Sequence, residues 1–329
     1  MFAPHLDERI GTDEQEYVPS RDGYGDGLCE AAQHDERVVA LCADLTESTR
    51  THKFAEAFPK RFVQVGVAEQ NLASTASGMA AMGKIPFMAS YAMFSPGRNW
   101  EQIRTTIAYN GMNVKITGAH AGVSVGPDGA THQAVEDIAI MRVVPGMVVI
   151  APADIHEARK AVHAAAQHDG PVYIRVGRSK TPVVTTPESP FAIGEAQRLA
   201  SCSDDHEHRV GLVVTGSLVN NALLAARTLC GYGIGVSVLH VPTIKPLDGA
   251  ALEALAAEHD CLVTIEEHQR FGGLGGAVCE HLALTRPTRV TRLGVDDEFG
   301  QSGTPEELIA HYGLDVDTIV ATAKRAVGQ

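Results

Sequence analysis

The stretch Arg61-Phe62-Val63-Gln64-Val65-Gly66-Val67-Ala68-Glu69-Gln70-Asn71 decides how this chain is read. Phe62, Val63, Val65 and Val67 are strand formers in a short run, and Leu72 to Met82 is crowded with Ala, Ser and Gly. The pattern predicts a buried strand over 61–67 and a helix over 69–82, with Glu69 at the junction. Pockets in open α/β sheets lie there, beyond the carboxyl ends of the strands. A carboxylate between Val67 and a small-residue helix needs a partner or a raised pKa. A plainer role competes, because an acid in a first helical turn is favoured by the helix dipole. Burial raises a carboxyl pKa by up to several units, and the dipole opposes it by about 1 kcal/mol or less, so a dry pocket wins.

Outward from this stretch the chain alternates. A helix is expected over 22–34, capped by Ser20 or Asp22, then a buried strand over 38–43. Strands follow at 85–90, 114–117, 147–151 and 171–176, with helices at 98–110, 132–141 and 154–168. A Gly-rich loop, 120–131, precedes the second of these helices. Further on, strands at 210–216, 236–241, 261–266 and 289–293 alternate with helices at 217–229, 249–259 and 273–284. Such alternation means βαβ units. The expected fold class is α/β, in two domains, each a mainly parallel sheet flanked by helices. Residues 1–18 form an N-terminal extension with little order, 19–182 a first domain, 183–207 a linker with room for an edge strand, and 208–329 a second domain.

Composition narrows the function. A length of 329 residues suits two domains, and 44% hydrophobic with 20% charged residues suits a globular enzyme. The net charge of −13 argues against nucleic-acid and anionic-membrane partners. No run is long enough to span a bilayer and no apolar leader is visible, so a cytoplasmic location is expected. The six cysteines lack metal-type spacing and are expected to be reduced thiols. His163, His168, His206 and His208 read as solvated.

Several residue groups carry chemistry. Tyr91 and Phe94 stand three apart in Ser90-Tyr91-Ala92-Met93-Phe94, which suits either a core pair or a platform for a planar heterocycle. Asp128-Gly129-Ala130-Thr131-His132-Gln133 places an acid in the glycine loop and a histidine just after it, with His132 at an expected helix start where the dipole disfavours protonation. Asp44-Leu45 ends a buried strand, where Asp44 would serve as a cap or a site residue. Gly25-Asp26-Gly27 resembles the opening of a metal-diphosphate motif, but it lies inside a predicted helix with no strand before it. It is therefore read as a helix start, with no metal site. Glu266-Glu267-His268 and Gly272-Gly273-Leu274-Gly275-Gly276 read as a strand-end acid and a turn with a structural role.

Gly66-Val67-Ala68-Glu69-Gln70-Asn71 behind a strand, together with the 128–133 loop, resembles the transketolase family. The resemblance runs over the chain beyond residue 18. It covers the thiamine-diphosphate pyrimidine-binding domain and the C-terminal domain, and none of the diphosphate-binding domain. It implies that Glu69 hydrogen-bonds N1′ of the aminopyrimidine and activates thiamine diphosphate. It implies that Asp44, Leu45, Tyr91 and Phe94 contact the cofactor. Tyr91 departs from the more usual Phe, and Gly97 stands where a third aromatic is often found. Asp128 would read a sugar hydroxyl, and His132 and His120 would hold hydroxyls and shuttle protons. Arg21, Ser48 and Arg178 would clamp a phosphate or sulfonate. Mg2+ or Ca2+ would be bound by a partner, an N-terminal transketolase subunit, in an α2β2 heterotetramer. The implied activity is transfer of a two-carbon ketol unit from a ketose to an aldose. A 2-oxoacid dehydrogenase β-type or deoxyxylulose-phosphate synthase-like subunit shares the glutamate motif, and a non-catalytic regulatory subunit is the third possibility.

Overall fold

The computed structural model describes residues 1–202 and 206–329; linker residues 203–205 lie outside the described residues. Two main sheets carry the chain. The first runs Thr243–Lys245, Val148–Ile150, Val172–Arg175, Lys115–Ala119, Ile85–Tyr91, Val38–Cys42, Phe62–Gln64. Its pairs are parallel except that Thr243–Lys245 lies antiparallel to Val148–Ile150. The second runs Val290–Val295, Cys261–Gln269, Arg209–Val214, Gly235–His240, Gln197–Ser201, parallel but for the last strand.

Central strands of a doubly covered parallel sheet read as unbroken apolar runs. Val38–Cys42 does so, and every residue of it is buried. Helices Ser20–His34 and Ile155–Gln167 cover one face through Tyr24, Leu28, Ala158 and Val162. Glycines permit their close approach. A Cβ on Gly23 would fall 2.0 Å from the Ile155 carbonyl oxygen, and one on Gly27 would fall 2.9 Å from that of Arg159. The helical Gly25-Asp26-Gly27 segment is thus packing chemistry, and Asp26 pairs with Lys53.

The other face of the first sheet is covered by helix Glu69–Ala81 and by the second domain itself. Leu41, Leu72, Met88 and Ile116 share one buried cluster with Val213, Leu239, Leu252, Leu262 and Leu274. Strand Thr243–Lys245 extends this union, since it leaves the second domain to edge the first sheet.

Several sequence expectations need correction. The strand at 61–67 shrinks to Phe62–Gln64 at a sheet edge, because Gly66 takes φ 75° and turns the chain away. Val67 is consequently exposed. Helix Ser20–His34 has Pro19 as its cap, and Ser20 Oγ instead accepts from Gly177 N at 2.9 Å. The helix expected over 132–141 begins only at Asp137, so His132 feels no helix terminus. The helix expected over 98–110 is Trp100–Gln102 followed by a wider π-helical turn, Ile103–Ala108.

Residues 1–18 are tied down. Ala3 N donates to Leu199 O at 2.8 Å, Asp7 N to Val184 O at 3.0 Å, and Leu6 and Ile10 are buried. Tyr17–Pro19 pairs antiparallel with Lys180–Pro182. Leu6 and Ile10 are the two large apolar residues between His5 and Glu16, too few to show a period. Two cysteines are not free thiols, for Cys202 and Cys230 form a disulfide between the second sheet's edge and helix Val219–Gly231. His163 is partly buried against Glu30 at 2.8 Å. Helices Pro305–His311 and Val316–Ala326 complete the second domain. Among the described residues no helix is long and apolar enough to cross a membrane.

Candidate active site

Parallel strands put their carboxyl ends on one side, and the candidate residues follow those ends. Asp44 follows Val38–Cys42, Tyr91 closes Ile85–Tyr91, His120 follows Lys115–Ala119, and Arg178 follows Val172–Arg175. Tyr91, Phe94, His120 and His132 come together as one aromatic cluster. Tyr91 stacks on His120 at 3.9 Å and on Phe94 at 6.0 Å between centroids. His132 meets Phe94 edge-on at 5.4 Å and Tyr91 at 6.1 Å.

Glu69 opens helix Glu69–Ala81 and is 2% exposed. A carboxylate so buried requires a partner. Arg98 supplies it, its Nη1 donating to Oε2 at 2.8 Å while its guanidinium lies 4.7 Å from the Phe94 ring centre. Asn99 Nδ2 donates to the Glu69 carbonyl at 2.9 Å and to Ser95 Oγ at 3.2 Å. Sequence reasoning missed both residues. Their signal was the Ser95-Pro96-Gly97 turn after Phe94, which bends the next two side chains back towards Glu69.

His120 is buried, and its Nε2 lies 3.4 Å from Arg21 Nη1. A guanidinium only donates, so Nε2 accepts and the proton sits on Nδ1. Nδ1 is itself buried without a partner. Burial first, then the charges of Arg21 and Arg178, push the His120 pKa down to about 3. His120 is therefore neutral at physiological pH. A folded pKa below the ordinary 6.5 means the unfolded chain takes up this proton first. The histidine thus costs no stability above pH 6.5, and stability falls as pH drops from 6.5 towards 3. His120→Gln should flatten that stretch of the pH–stability curve in urea unfolding. An unchanged acid slope would contradict the buried neutral ring.

Arg21 and Arg178 are the nearest cations to the histidine, and Asp128 lies beside Arg178. Arg21 Nη1 donates to the Ser48 carbonyl at 2.7 Å, so Ser48 contributes its backbone here and not its hydroxyl. Arg178 Nη1 donates to Val125 O at 3.1 Å, and its Nε lies 3.9 Å from Asp128 Oδ2. Burial, and then Arg50, lower the Arg21 pKa. Arg50 is a further cation that sequence reasoning passed over; it has φ 66° and is held by Asp22. Asp44 is exposed with φ 60°, and its N donates to Gln64 Oε1 at 2.7 Å. It caps no helix, since the next one begins at His52. Leu45 is half-buried and accepts from Thr49 N at 2.9 Å through its carbonyl.

The glycine loop is pinned from below. Gln133 Nε2 donates to the carbonyls of Val123, Gly126 and Gln301. Glu267 reaches over from the second domain to accept from Ser124 N and from Ser217 Oγ at 2.7 Å. Gly122, at φ 86°, leaves room for it, since a Cβ there would fall 2.3 Å from Glu267 Oε1. Glu266 accepts from Leu274 N and Gly275 N at the head of helix Leu274–Thr285. The turn at 272–276 is therefore a capped helix start.

Two α/β domains in tandem, with a buried acid and an aromatic–histidine cluster at the strand ends, define a class of protein. Residues 16–184 match the transketolase pyrimidine-binding domain and residues 202–319 the transketolase C-terminal domain. The chain belongs to the transketolase family. It is 43% identical over 306 residues to a protein of Methanocaldococcus jannaschii named as a transketolase C-terminal section, covering 92% of this chain and 94% of that one. It is 41% identical to the 6-deoxy-6-sulfo-D-fructose transketolase subunit of a Clostridium species, covering 92% of each. It is 37% identical to an apulose-4-phosphate transketolase subunit of Phocaeicola vulgatus, covering 93% of this chain and 96% of that one. A solved structure described as a split gene transketolase, inactive beta4 tetramer, superposes with a TM-score of 0.85 at 41% identity, over 95% of this chain and 99% of that one.

Proposed function

We propose that this chain is the pyrimidine-binding half of a transketolase whose active site is completed by a separate N-terminal subunit. The observation that carries this reading is Glu69, 2% exposed at a strand-end helix start and joined through Arg98 to the Phe94 ring. The residues suit thiamine diphosphate: a buried carboxylate, flanking aromatic rings, and buried polar atoms without protein partners at His120 Nδ1 and Asn99 Oδ1. When bound, the cofactor supplies the nucleophilic carbon of ketol transfer. Glu69 would accept a hydrogen bond from the pyrimidine edge, and Tyr91 and Phe94 would flank its ring. His132, anchored by Thr131 Oγ1 at 2.9 Å, would hold a substrate hydroxyl or carbonyl. His120, neutral and with a free Nδ1–H, would donate to a substrate oxygen. Asp128 would accept from a sugar hydroxyl.

The anionic end of the sugar would meet Arg21 and Arg178, with Ser48 nearby. Relatives named for a sulfosugar and for a sugar phosphate fit that charge pattern. The diphosphate and its Mg2+ or Ca2+ would rest on the partner, in an α2β2 assembly. The beta4 tetramer of the related split transketolase supports self-association of the unpartnered chain.

The test is reconstitution. The chain alone is expected to show no ketol transfer from xylulose 5-phosphate to an aldose phosphate and to bind thiamine diphosphate poorly. Mixing with the N-terminal subunit is expected to restore both. Full activity of the chain alone would overturn the split site. Turnover of pyruvate instead of the ketose would favour the deoxyxylulose-phosphate synthase-like reading.

A further inference from the structure

Among the contacts that the proposed function gives the bound pyrimidine, beside the Tyr91 ring, are two: the Glu69 carboxylate and the Phe94 ring. One side chain already holds both. Arg98 Nη1 sits 2.8 Å from Glu69 Oε2, and its Cζ lies 4.7 Å from the Phe94 centroid. The two partners differ sharply in exposure: the Glu69 side chain is 2% exposed and that of Arg98 50%. We propose that Arg98 is a removable counter-ion, which neutralises Glu69 while the cofactor is absent and is displaced from the carboxylate and the aromatic face when the pyrimidine binds. This rests on the proposed cofactor role of Glu69.

The physical case has three parts. A carboxylate buried this deeply is costly without a partner, so Glu69 needs a cation beside it whenever no pyrimidine is bound. A half-exposed guanidinium is cheap to release, because water takes up its donors. Its perch on Phe94 is a cation–π contact, which a stacked heterocycle replaces in kind. The backbone keeps the acid in place during the exchange. Asn99 holds the Glu69 carbonyl from the same turn that carries Arg98, so the side chain can leave while the turn stays.

Arg98 therefore acts as a positioning residue with a cost: it lowers the fraction of sites open to the cofactor. The test uses the full chain and its complex with the N-terminal subunit. In the complex, Arg98→Gln is expected to tighten thiamine diphosphate binding by about three- to tenfold, measured by calorimetric titration. In the chain alone, Arg98→Gln is expected to lower the melting temperature by about 3 °C, because Glu69 loses its counter-charge. That loss should vanish when Arg98→Gln is made on a Glu69→Gln background. Unchanged or weaker cofactor binding by the Arg98→Gln complex would overturn the displacement. An equal melting loss on both backgrounds would overturn the pairing. If neither wild-type nor variant complex binds thiamine diphosphate, the proposed function itself fails, and the melting cycle still decides whether the ion pair exists.

Discussion

Glu69→Gln should cut ketol transfer by the reconstituted complex by about 100- to 10,000-fold, the range for losing a positioned proton-transfer group. The substitution keeps shape and removes charge. Its stability cost should be small, because the Arg98 guanidinium it leaves behind is half exposed and rehydrates. The separation between lost rate and retained fold is the point of the experiment. Steady-state kinetics with a ketose phosphate donor and an aldose phosphate acceptor, beside a melting curve, would read both. Activity within about threefold of wild type, a barrier change under 1 kcal/mol, would remove Glu69 from catalysis.

Asp137→Ala should be the most damaging change for the fold, at about 3–5 kcal/mol, because it strands a buried guanidinium. Asp137 is 2% exposed and Arg175 8%. Arg175 Nε donates to Asp137 Oδ2 at 2.9 Å, and the Tyr173 hydroxyl donates to the same oxygen at 2.7 Å. Arg175 Nη2 continues to the Ala134 carbonyl at 3.3 Å and to the Glu267 carbonyl at 2.7 Å. One charge thus joins the first sheet, the end of the glycine loop and the second domain. Tyr173→Phe, which leaves the ion pair intact, should cost only about 1 kcal/mol. Urea unfolding of the two variants side by side is the measurement. Equal costs would mean that the pair does not organise the loop.

The same pair shows where sequence reasoning runs out. Local pattern puts Asp137 in a helix and Arg175 in a strand, and both assignments hold at those residues. Nothing in that pattern reveals that they face each other. Arg98 and Asn99 are hidden for the same reason, since their target lies 29 and 30 residues earlier in the chain. His132 shows the reverse error. A helix is expected from its start, but the chain there is held by Gln133 donating to three carbonyls, one of them 168 residues away. A tertiary anchor of that kind outweighs local helix propensity.

The amino-acid order alone determined the alternation of strands and helices, the two α/β domains, and the set of acids, histidines and aromatics at strand ends. The alternation and the domains follow from periodicity, a local property of the chain, and the site residues from short motifs and the family resemblance they carry. Only the tertiary structure decided that the N-terminal arm is packed, that the domains share one apolar cluster and a strand, and that Glu69 is paired with Arg98. Each of those depends on surfaces far apart in sequence meeting in space, where burial makes an unpaired charge such as the Glu69 carboxylate costly.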